Sequence, residues 1–248
     1  MVANTCSLAL ANQGNPMQKE KVVLVTGGTG DIGTAIAKHL NSLYGKIIAL
    51  DVLAENKGSL WEAELHEEGY QNAFYRHMDV TDFDQCKVVV DDIVKEFGRV
   101  DVLINNAGIT RDAVFNKMTK QQWDEVLTVN LDGMFNVTRP VVEYMREQES
   151  GRIVNVSSVN AQKGQFSQAN YAASKAGVYG FTKSLAQELM AKNITVNSLS
   201  PGYVNTRLMK GIRPDILESI IALIPAKRLA EPEEIAWVVE FLISDKSR

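Results

Sequence analysis

Residues 22–33 read VVLVTGGTGDIG, an apolar run followed by four glycines within eight positions. Val22–Thr26 predicts a strand buried on both faces. The spacing of Ile32, Ile36 and Leu40 predicts a helix directly after the glycines. Glycines there would allow a tight turn and close approach of the backbone to a pyrophosphate, and the helix N-terminus would supply unpaired N–H groups. A glycine cluster can also be a plain turn, so the strand–turn–helix context carries the prediction of a dinucleotide site.

The rest of the chain continues the alternation of strands and helices. Further strands are predicted at Lys46–Asp51, Asn72–Met78, Val100–Asn105, Arg152–Ser157 and Ile194–Leu199, and helices at Ile32–Leu43, Ser59–Glu68, Asp82–Phe97, Gln121–Glu147 and Tyr171–Lys192. This order predicts an α/β fold, a doubly wound parallel sheet with right-handed crossovers. Residues 1–20 are interpreted as an N-terminal tail and residues 21–248 as one domain.

Composition narrows the class of protein. The chain has 248 residues, a net charge of −4 and 45% hydrophobic residues, so it can bury a full core without disulfides or metal. Its mild acidity argues against a protein that coats nucleic acid. No stretch approaches the roughly 20 apolar residues of a membrane span. Two cysteines and three scattered histidines predict no metal site. A cytoplasmic protein without membrane or nucleic-acid partners is the expectation.

A tyrosine and a lysine offer acid–base chemistry. Tyr171 and Lys175 are four residues apart on a predicted helix and therefore share a face. An ammonium group beside the phenol would lower its pKa and let it transfer a proton near neutral pH. Tyr179 and Lys183 repeat this spacing and are interpreted as an exposed or packing pair. Ser158 distinguishes the first pair, because it follows the fifth strand and so falls at the carboxyl edge of the sheet.

Two acidic residues follow predicted strands. Asp51 ends the second strand, where a carboxylate can bind the ribose hydroxyls of an adenosine and repel a 2′-phosphate; a solvated strand end is the alternative. Asp79 follows the third strand and would reach the adenine edge, and a local capping role is nearly as good an interpretation.

Taken together, six motifs resemble the classical short-chain dehydrogenases/reductases over roughly residues 20–244. They are TGGTGDIG, NNAG at Asn105–Gly108, Asn130 in TVNLDG, Ser158, YAASK at Tyr171–Lys175 and PGYVNT at Pro201–Thr206. The resemblance implies a single Rossmann-fold domain that binds a nicotinamide cofactor. The family's sheet has one more strand and a glycine-rich tail after this point, and this chain is expected to lack that last strand.

Within the family, the chain is most similar to the acetoacetyl-CoA reductases of polyhydroxybutyrate synthesis. The segments concerned are NNAGITRD (Asn105–Asp112), SVNAQKGQFSQANY (Ser158–Tyr171) and PAKRLAEPEEIA (Pro225–Ala236). The resemblance implies reduction of a 3-oxoacyl-CoA to the 3-hydroxyacyl-CoA. Two alternatives stay open: a 3-oxoacyl-carrier-protein reductase, whose relatives usually have a glycine-rich stretch at Gln165 and Phe166, and an inactive dinucleotide-sensing protein.

The resemblance also implies residue roles. Tyr171 would be the general acid, Lys175 would lower its pKa and hold the nicotinamide ribose, Ser158 would bind the substrate carbonyl, and Asn130 would position a water of a proton relay. The cofactor would contact Gly27, Thr29, Gly30, Asp31, Ile32, Gly33, Asp51, Asp79, Val80, Asn106, Ala107, Gly108, Tyr171, Lys175, Pro201, Gly202, Val204 and Thr206. The acyl pocket would be shaped by Asp112, Gln165, Phe166, Gln168 and Tyr203.

Further expectations concern charge and assembly. Asp31 replaces a glycine of the family's turn, so its carboxylate should point away from a pyrophosphate. Asp51 favours NAD(H) over NADP(H), although Lys57 is a nearby cation. Arg213 would meet a CoA phosphate or remain solvated. Small residues on the Tyr171 helix (Ala172, Ala173, Ala176, Gly177 and Gly180) favour the helix pairing of a homotetramer, which the resemblance implies.

Overall fold

A computed structural model describes residues 21–247; the predicted tail at 1–20 and Arg248 lie outside the described residues. The strands are β1 (Val22–Thr26), β2 (Lys46–Asp51), β3 (Ala73–His77), β4 (Val102–Asn105), β5 (Gly151–Val156) and β6 (Ile194–Leu199). All five strand pairs are parallel, in the order β3-β2-β1-β4-β5-β6. The strand order reverses between β1 and β4, where open α/β sheets bind ligands. The predicted doubly wound parallel sheet is confirmed.

Ten α-helices complete the described part of the chain. They are α1 (Asp31–Asn41), α2 (Glu55–Glu67), α3 (Phe83–Phe97), α4 (Lys120–Leu127), α5 (Gly133–Gln148), α6 (Asn160–Lys163), α7 (Ala169–Leu189), α8 (Arg207–Lys210), α9 (Pro214–Leu223) and α10 (Pro232–Ile243). Among residues 21–247, no helix is both long and apolar enough to cross a bilayer.

The core has two layers because the residues of β1 alternate between the two faces of the sheet. Val22 and Leu24 pack with α3, α5 and the end of α7, and Val23 and Val25 pack with α1 and α10. All five residues of β1 are buried. Helices on both faces therefore explain why this strand is continuously apolar.

The predicted helix Gln121–Glu147 is wrong as one element. A π-helical turn, Thr128–Asp132, separates α4 from α5, and the N–H of Gly133 bonds to the carbonyl of Thr128. Such turns interrupt α-helices frequently at functional sites. Asn130 lies in this turn and is buried. Asp82 caps α3, since its carboxylate accepts the N–H of Gln85 at 2.9 Å.

Candidate active site

The glycine-rich turn after β1 is too tight for side chains. Gly27 has φ of +60°, and a Cβ on Gly33 would lie 2.4 Å from the carbonyl oxygen of Gly27. Gly30 precedes the first residue of α1, and Ile32 and Gly33 lie in its first turn, where N–H groups have no acceptor within the helix. This backbone cradle with free donors fits a pyrophosphate, as the sequence predicts.

Thr26 fastens the turn to the segment after β4. Its hydroxyl accepts the N–H groups of Asn106 and Ala107, both at 3.0 Å. The Asn106 amide donates to the carbonyls of Thr26 and Gly27, both at 3.1 Å. Gly108 follows, and a Cβ there would lie 3.3 Å from both Asn130 Oδ1 and Lys175 Nζ. The NNAG motif thus brings the glycine-rich turn next to the predicted proton-transfer residues.

Asp51 lies at the carboxyl end of β2, beside the turn. Its Oδ2 accepts the hydroxyl of Thr29 at 2.6 Å and the N–H of Thr29 at 3.2 Å, and its Oδ1 accepts the N–H of Val52 at 2.8 Å. Each carboxylate oxygen accepts more than one hydrogen bond, so capacity for a ribose hydroxyl remains. The structure places this carboxylate where the sequence predicts it.

Asp79 makes the local contacts that the capping interpretation describes. Its Oδ1 accepts both the N–H and the hydroxyl of Thr81, each at 2.8 Å. Val80, also predicted at the cofactor, is buried, and it packs so closely on Gly133 that a Cβ there would lie 2.8 Å from Val80 Cγ2. Both residues lie at the carboxyl edge of the sheet, after β3.

Asp31 turns towards the segment that follows β6. Its Oδ1 lies 2.7 Å from Nε of Arg207, and its Oδ2 accepts the N–H of Arg207 at 2.5 Å. The guanidinium Nη2 also lies 3.5 Å from the carbonyl of Thr29. The charge that the sequence adds to the turn is therefore paired with an arginine that sequence reasoning did not single out.

Ser158 and Tyr171 meet at the carboxyl end of β5. The Ser158 hydroxyl lies close enough to the Tyr171 phenol to lower its pKa, and it accepts the N–H of Asn160 at 3.2 Å. Asn170 fixes the start of α7: its amide donates to the carbonyls of Arg111 and Gln122, both at 3.0 Å, and its Oδ1 accepts the N–H of Tyr171 at 2.8 Å.

The expected lowering of the Tyr171 pKa is wrong for this structure. Burial is the largest influence and raises the pKa; the Ser158 hydrogen bond offsets part of this, and the Asp112 charge raises it further. The Lys175 ammonium donates instead to the carbonyl of Val156 at 2.8 Å, and Nζ lies 5.9 Å from the centre of the Tyr171 ring. The phenol is consequently held protonated at neutral pH.

Lys175 is a buried cation on the same helix face. It is 4% exposed, and burial lowers its pKa from 10.5 to about 8. Taking an ammonium group out of water disfavours the charged form. A lysine with a pKa near 8 can exchange its proton close to neutral pH, which suits a proton relay.

Asn130 is fixed in the π-helical turn. Its Oδ1 accepts the N–H of Ile109 at 2.8 Å, and its Nδ2 lies 3.0 Å from the carbonyl of Ile109 and 3.2 Å from Ser174 Oγ. A cavity of about 10 Å³ is lined by Asn130, Lys175 and Val156 among others. That volume is close to the minimum for one water molecule.

Tyr179 makes specific hydrogen bonds, which the interpretation as an exposed or packing pair does not include. Lys183 is exposed, but the Tyr179 hydroxyl lies 2.8 Å from Ser200 Oγ and 3.2 Å from the carbonyl of Ser158. Burial raises its pKa, but hydrogen bonds with Ser200, Ser157 and Gln162 outweigh this and lower it. Tyr179 thus ties together the ends of β5 and β6 beneath Ser158.

Four of the predicted acyl-pocket residues contact one another in two pairs. Gln168 Nε2 donates to Asp112 Oδ2 at 2.9 Å, and the Tyr203 hydroxyl lies 3.4 Å from Gln165 Oε1. Phe166 is 82% exposed. Arg213 pairs with Asp215, with Nη2 to Oδ2 at 2.6 Å, and its side chain remains 75% exposed.

The segment after β6 crosses the same edge of the sheet. The carbonyl of Pro201 accepts the N–H of Val159 at 3.0 Å, and Gly202 and Tyr203 follow. Val204 bridges to Ala230, and Thr206 immediately precedes α8. The predicted nicotinamide-side residues therefore stand next to β5 and the Ser158 loop.

Three residues near the site were not named from the sequence: Asn170, Ser174 and Arg207. Asn170 carried a usable signal, since asparagine is a frequent cap and it directly precedes the predicted helix Tyr171–Lys192, although α7 begins one residue earlier, at Ala169. The hydroxyl of Ser174 donates to the carbonyl of Tyr171 at 2.8 Å, a contact within one helix. Arg207 carried no signal, because its partner Asp31 is 176 positions away in the chain.

A dinucleotide cradle beside a serine, a tyrosine and a lysine defines a nicotinamide-dependent oxidoreductase. The chain belongs to the short chain dehydrogenase family, whose sequence profile matches residues 21–217. It is 46% identical to an acetoacetyl-CoA reductase of Cupriavidus necator over 228 residues, 92% of each chain. It is 45% identical to a 3-oxoacyl-[acyl-carrier-protein] reductase of Thermotoga maritima, again over 92% of each. The crystal structure of an NAD+-bound xylitol dehydrogenase superposes with a TM-score of 0.86 at 33% identity, covering 93% of this chain and 94% of the other.

Proposed function

We propose that the protein reduces a 3-oxoacyl-CoA, with acetoacetyl-CoA as the representative substrate, to the 3-hydroxyacyl-CoA, in the cytoplasm and as a step of polyhydroxybutyrate synthesis. The proximity of Ser158 to a partly buried, protonated Tyr171, which shares a helix face with Lys175, carries the proposal. These side chains lie at the carboxyl edge of the sheet, where the strand order reverses between β1 and β4, so the carbonyl of a substrate and a nicotinamide can meet there.

Each side chain of the site has a separate role in the reduction. A bound reduced nicotinamide supplies the hydride that forms the new C–H bond. Tyr171 gives its proton to the carbonyl oxygen and forms the new O–H bond. Ser158 donates a hydrogen bond to the same oxygen as negative charge develops on it. Lys175, whose pKa of about 8 suits a proton relay, returns a proton towards the phenolate through a water beside Asn130.

We propose NADH as the preferred cofactor. The Asp51 carboxylate holds Thr29 at the turn, so its charge stays where the adenosine ribose would lie. A 2′-phosphate at that position would be repelled. Replacement of NADH by NADPH should therefore raise KM far more than it changes kcat.

The identity of the acyl carrier rests on the rim of the pocket. Relatives that act on the two carriers are almost equally similar to this chain, at 46% and 45% identity. We favour CoA because Gln165 and Phe166 stand where carrier-protein reductases usually have glycines. The exposed Phe166 ring offers apolar surface to a thioester arm. The joint presence of Ser158, Tyr171, Lys175 and Asn130 argues against an inactive sensor.

We propose a homotetramer that buries the outer faces of α5 and α7. A groove between these helices is lined by Phe135, Val142, Phe181 and Leu185, and Phe135 is 50% exposed. The small residues of α7 differ in their surroundings. Gly177 faces Leu131 of its own chain, whereas a Cβ on Gly180 would meet nothing within 4 Å.

The test measures oxidation of NADH and, separately, NADPH with acetoacetyl-CoA and with acetoacetyl-carrier protein. The proposal expects the highest kcat/KM for NADH with the CoA thioester. Tyr171→Phe keeps the ring but removes the transferable proton, so turnover should fall by about 100-fold or more while NADH binding is retained. Full turnover by this variant would contradict the mechanism. Tight NADH binding without turnover of either thioester by the wild type would favour the sensor.

A further inference from the structure

An ion pair joins the glycine-rich turn, at the start of α1, to the segment that follows β6. Asp31 is the first residue of α1, and Arg207 is the first residue of α8. Two hydrogen bonds join the residues through Oδ1 and Oδ2, one from the guanidinium and one from the backbone N–H. The segment after β6 is thereby held against the glycine-rich turn.

The carboxylate of Asp31 would by itself oppose an anion at this turn. It begins the helix whose first N–H groups form the pyrophosphate cradle. A negative charge there favours the helix dipole but repels the phosphates of a dinucleotide. The guanidinium of Arg207 cancels this charge, since its Nε lies 2.7 Å from Asp31 Oδ1.

Arg207 has donors left for a second anion. Its contacts with Asp31 Oδ1 and the carbonyl of Thr29 use two of the five guanidinium N–H groups. The side chain is 74% exposed, whereas that of Asp31 is 25% exposed. The cation thus lies on the open side of the pair, against both ends of the segment Thr29–Asp31.

We propose that Arg207 is the side chain that binds the pyrophosphate of the cofactor, and that the Asp31 carboxylate holds the guanidinium at the turn only until the phosphates displace it. The planar guanidinium suits phosphate oxygens, which it can bind through two parallel N–H groups. A phosphate that approaches competes with Asp31 for the same cation. Cofactor binding therefore fastens the segment after β6 through Arg207. This inference rests on nicotinamide binding but not on the identity of the thioester.

The experiment compares Arg207→Gln and Asp31→Asn, which break the same ion pair from opposite sides. Dissociation constants are measured by fluorescence titration with NADH, ADP-ribose and adenosine as probes. Arg207→Gln should raise the dissociation constants of NADH and ADP-ribose by about tenfold or more, because a charged hydrogen bond to phosphate is lost. It should leave the dissociation constant of adenosine unchanged. Asp31→Asn should tighten NADH binding, because the carboxylate that competes with the phosphates for Arg207 is gone.

Lys210→Gln is the matched control, since it removes the same charge from the other end of α8 and is expected to change no probe by more than about twofold. If Arg207→Gln and Asp31→Asn raise the dissociation constant of NADH equally, the ion pair only stabilises the structure of the turn and the inference is overturned. It is also overturned if Arg207→Gln leaves NADH binding at the wild-type value. Failure of the wild type to bind NADH would refute the proposed function instead. Thermal denaturation without ligand verifies that both variants are folded.

Discussion

Replacement of Lys175 by methionine is expected to stabilise the protein while it abolishes turnover. Lys175 is 4% exposed, and burial lowers its pKa from 10.5 to about 8. That difference corresponds to about 3 kcal/mol against the charged form at neutral pH. Methionine fills a similar volume without a charge. It also leaves the carbonyl of Val156 without the ammonium donor that lies 2.8 Å away, at a cost of about 1 kcal/mol. A net gain of about 2 kcal/mol is expected.

The free energy of unfolding of the wild type is expected to depend on pH through Lys175. Below pH 8 both the folded and the unfolded lysine are protonated, so the full penalty of burying the charge is present. Between about 8 and 10.5 the unfolded lysine keeps its proton and the folded lysine has lost it. The free energy of unfolding of the wild type should therefore gain a contribution from Lys175 as pH rises through this window.

The assay is urea denaturation of wild type and Lys175→Met at pH 7 and at several values up to 10, at one fixed protein concentration. The variant should have the higher midpoint at pH 7, and the difference should shrink as pH rises. A variant that is less stable at pH 7, or a stability difference that does not change with pH, would refute the argument from burial. Loss of turnover is measured in parallel with saturating NADH and acetoacetyl-CoA.

Three more substitutions test the turn and its surroundings. Gly33→Ala should destabilise the fold by about 1–3 kcal/mol in thermal denaturation, because its Cβ would lie 2.4 Å from the carbonyl of Gly27; Gly211→Ala, with ordinary contacts, should not. Asp51→Asn should improve kcat/KM for NADPH relative to NADH by roughly tenfold, since repulsion of the 2′-phosphate is removed. Tyr179→Phe should cost about 1 kcal/mol of stability and lower kcat without changing the Kd of NADH; an unchanged kcat would assign Tyr179 a purely structural role.

Most of the fold was readable from local patterns. β1, β2 and β6 have the predicted bounds. β1 and β2 are apolar runs that end at a polar or charged residue, as buried parallel strands do, whereas β6 mixes apolar and polar residues and is only partly buried. Helix bounds differ by a few residues: α2 begins at Glu55 rather than Ser59. The predicted helix across Asn130 failed, since a π-helical turn adds one residue to an otherwise unbroken helical pattern.

Tyr171, Lys175 and Ser158 were singled out from residue types and their predicted places in the fold, and the resemblance added Asn130 and the role of each residue. Spacing alone could not separate Tyr171 and Lys175 from Tyr179 and Lys183. Both pairs share α7, and their different roles follow from what lies opposite each phenol. Tyr171 meets the hydroxyl of Ser158, whereas Tyr179 meets its backbone carbonyl.

The sequence by itself determined the order of strands and helices, the glycine-rich turn and the residue types available for proton transfer, because these depend on periodicity and on backbone preferences of neighbouring residues. Only the tertiary structure decided their charge states and partners. Burial sets the pKa values of Tyr171 and Lys175, and the pairing of Asp31 with Arg207 joins positions 176 residues apart. Desolvation and electrostatic attraction depend on distance in space, and the chain acquires those distances only when the sheet is assembled.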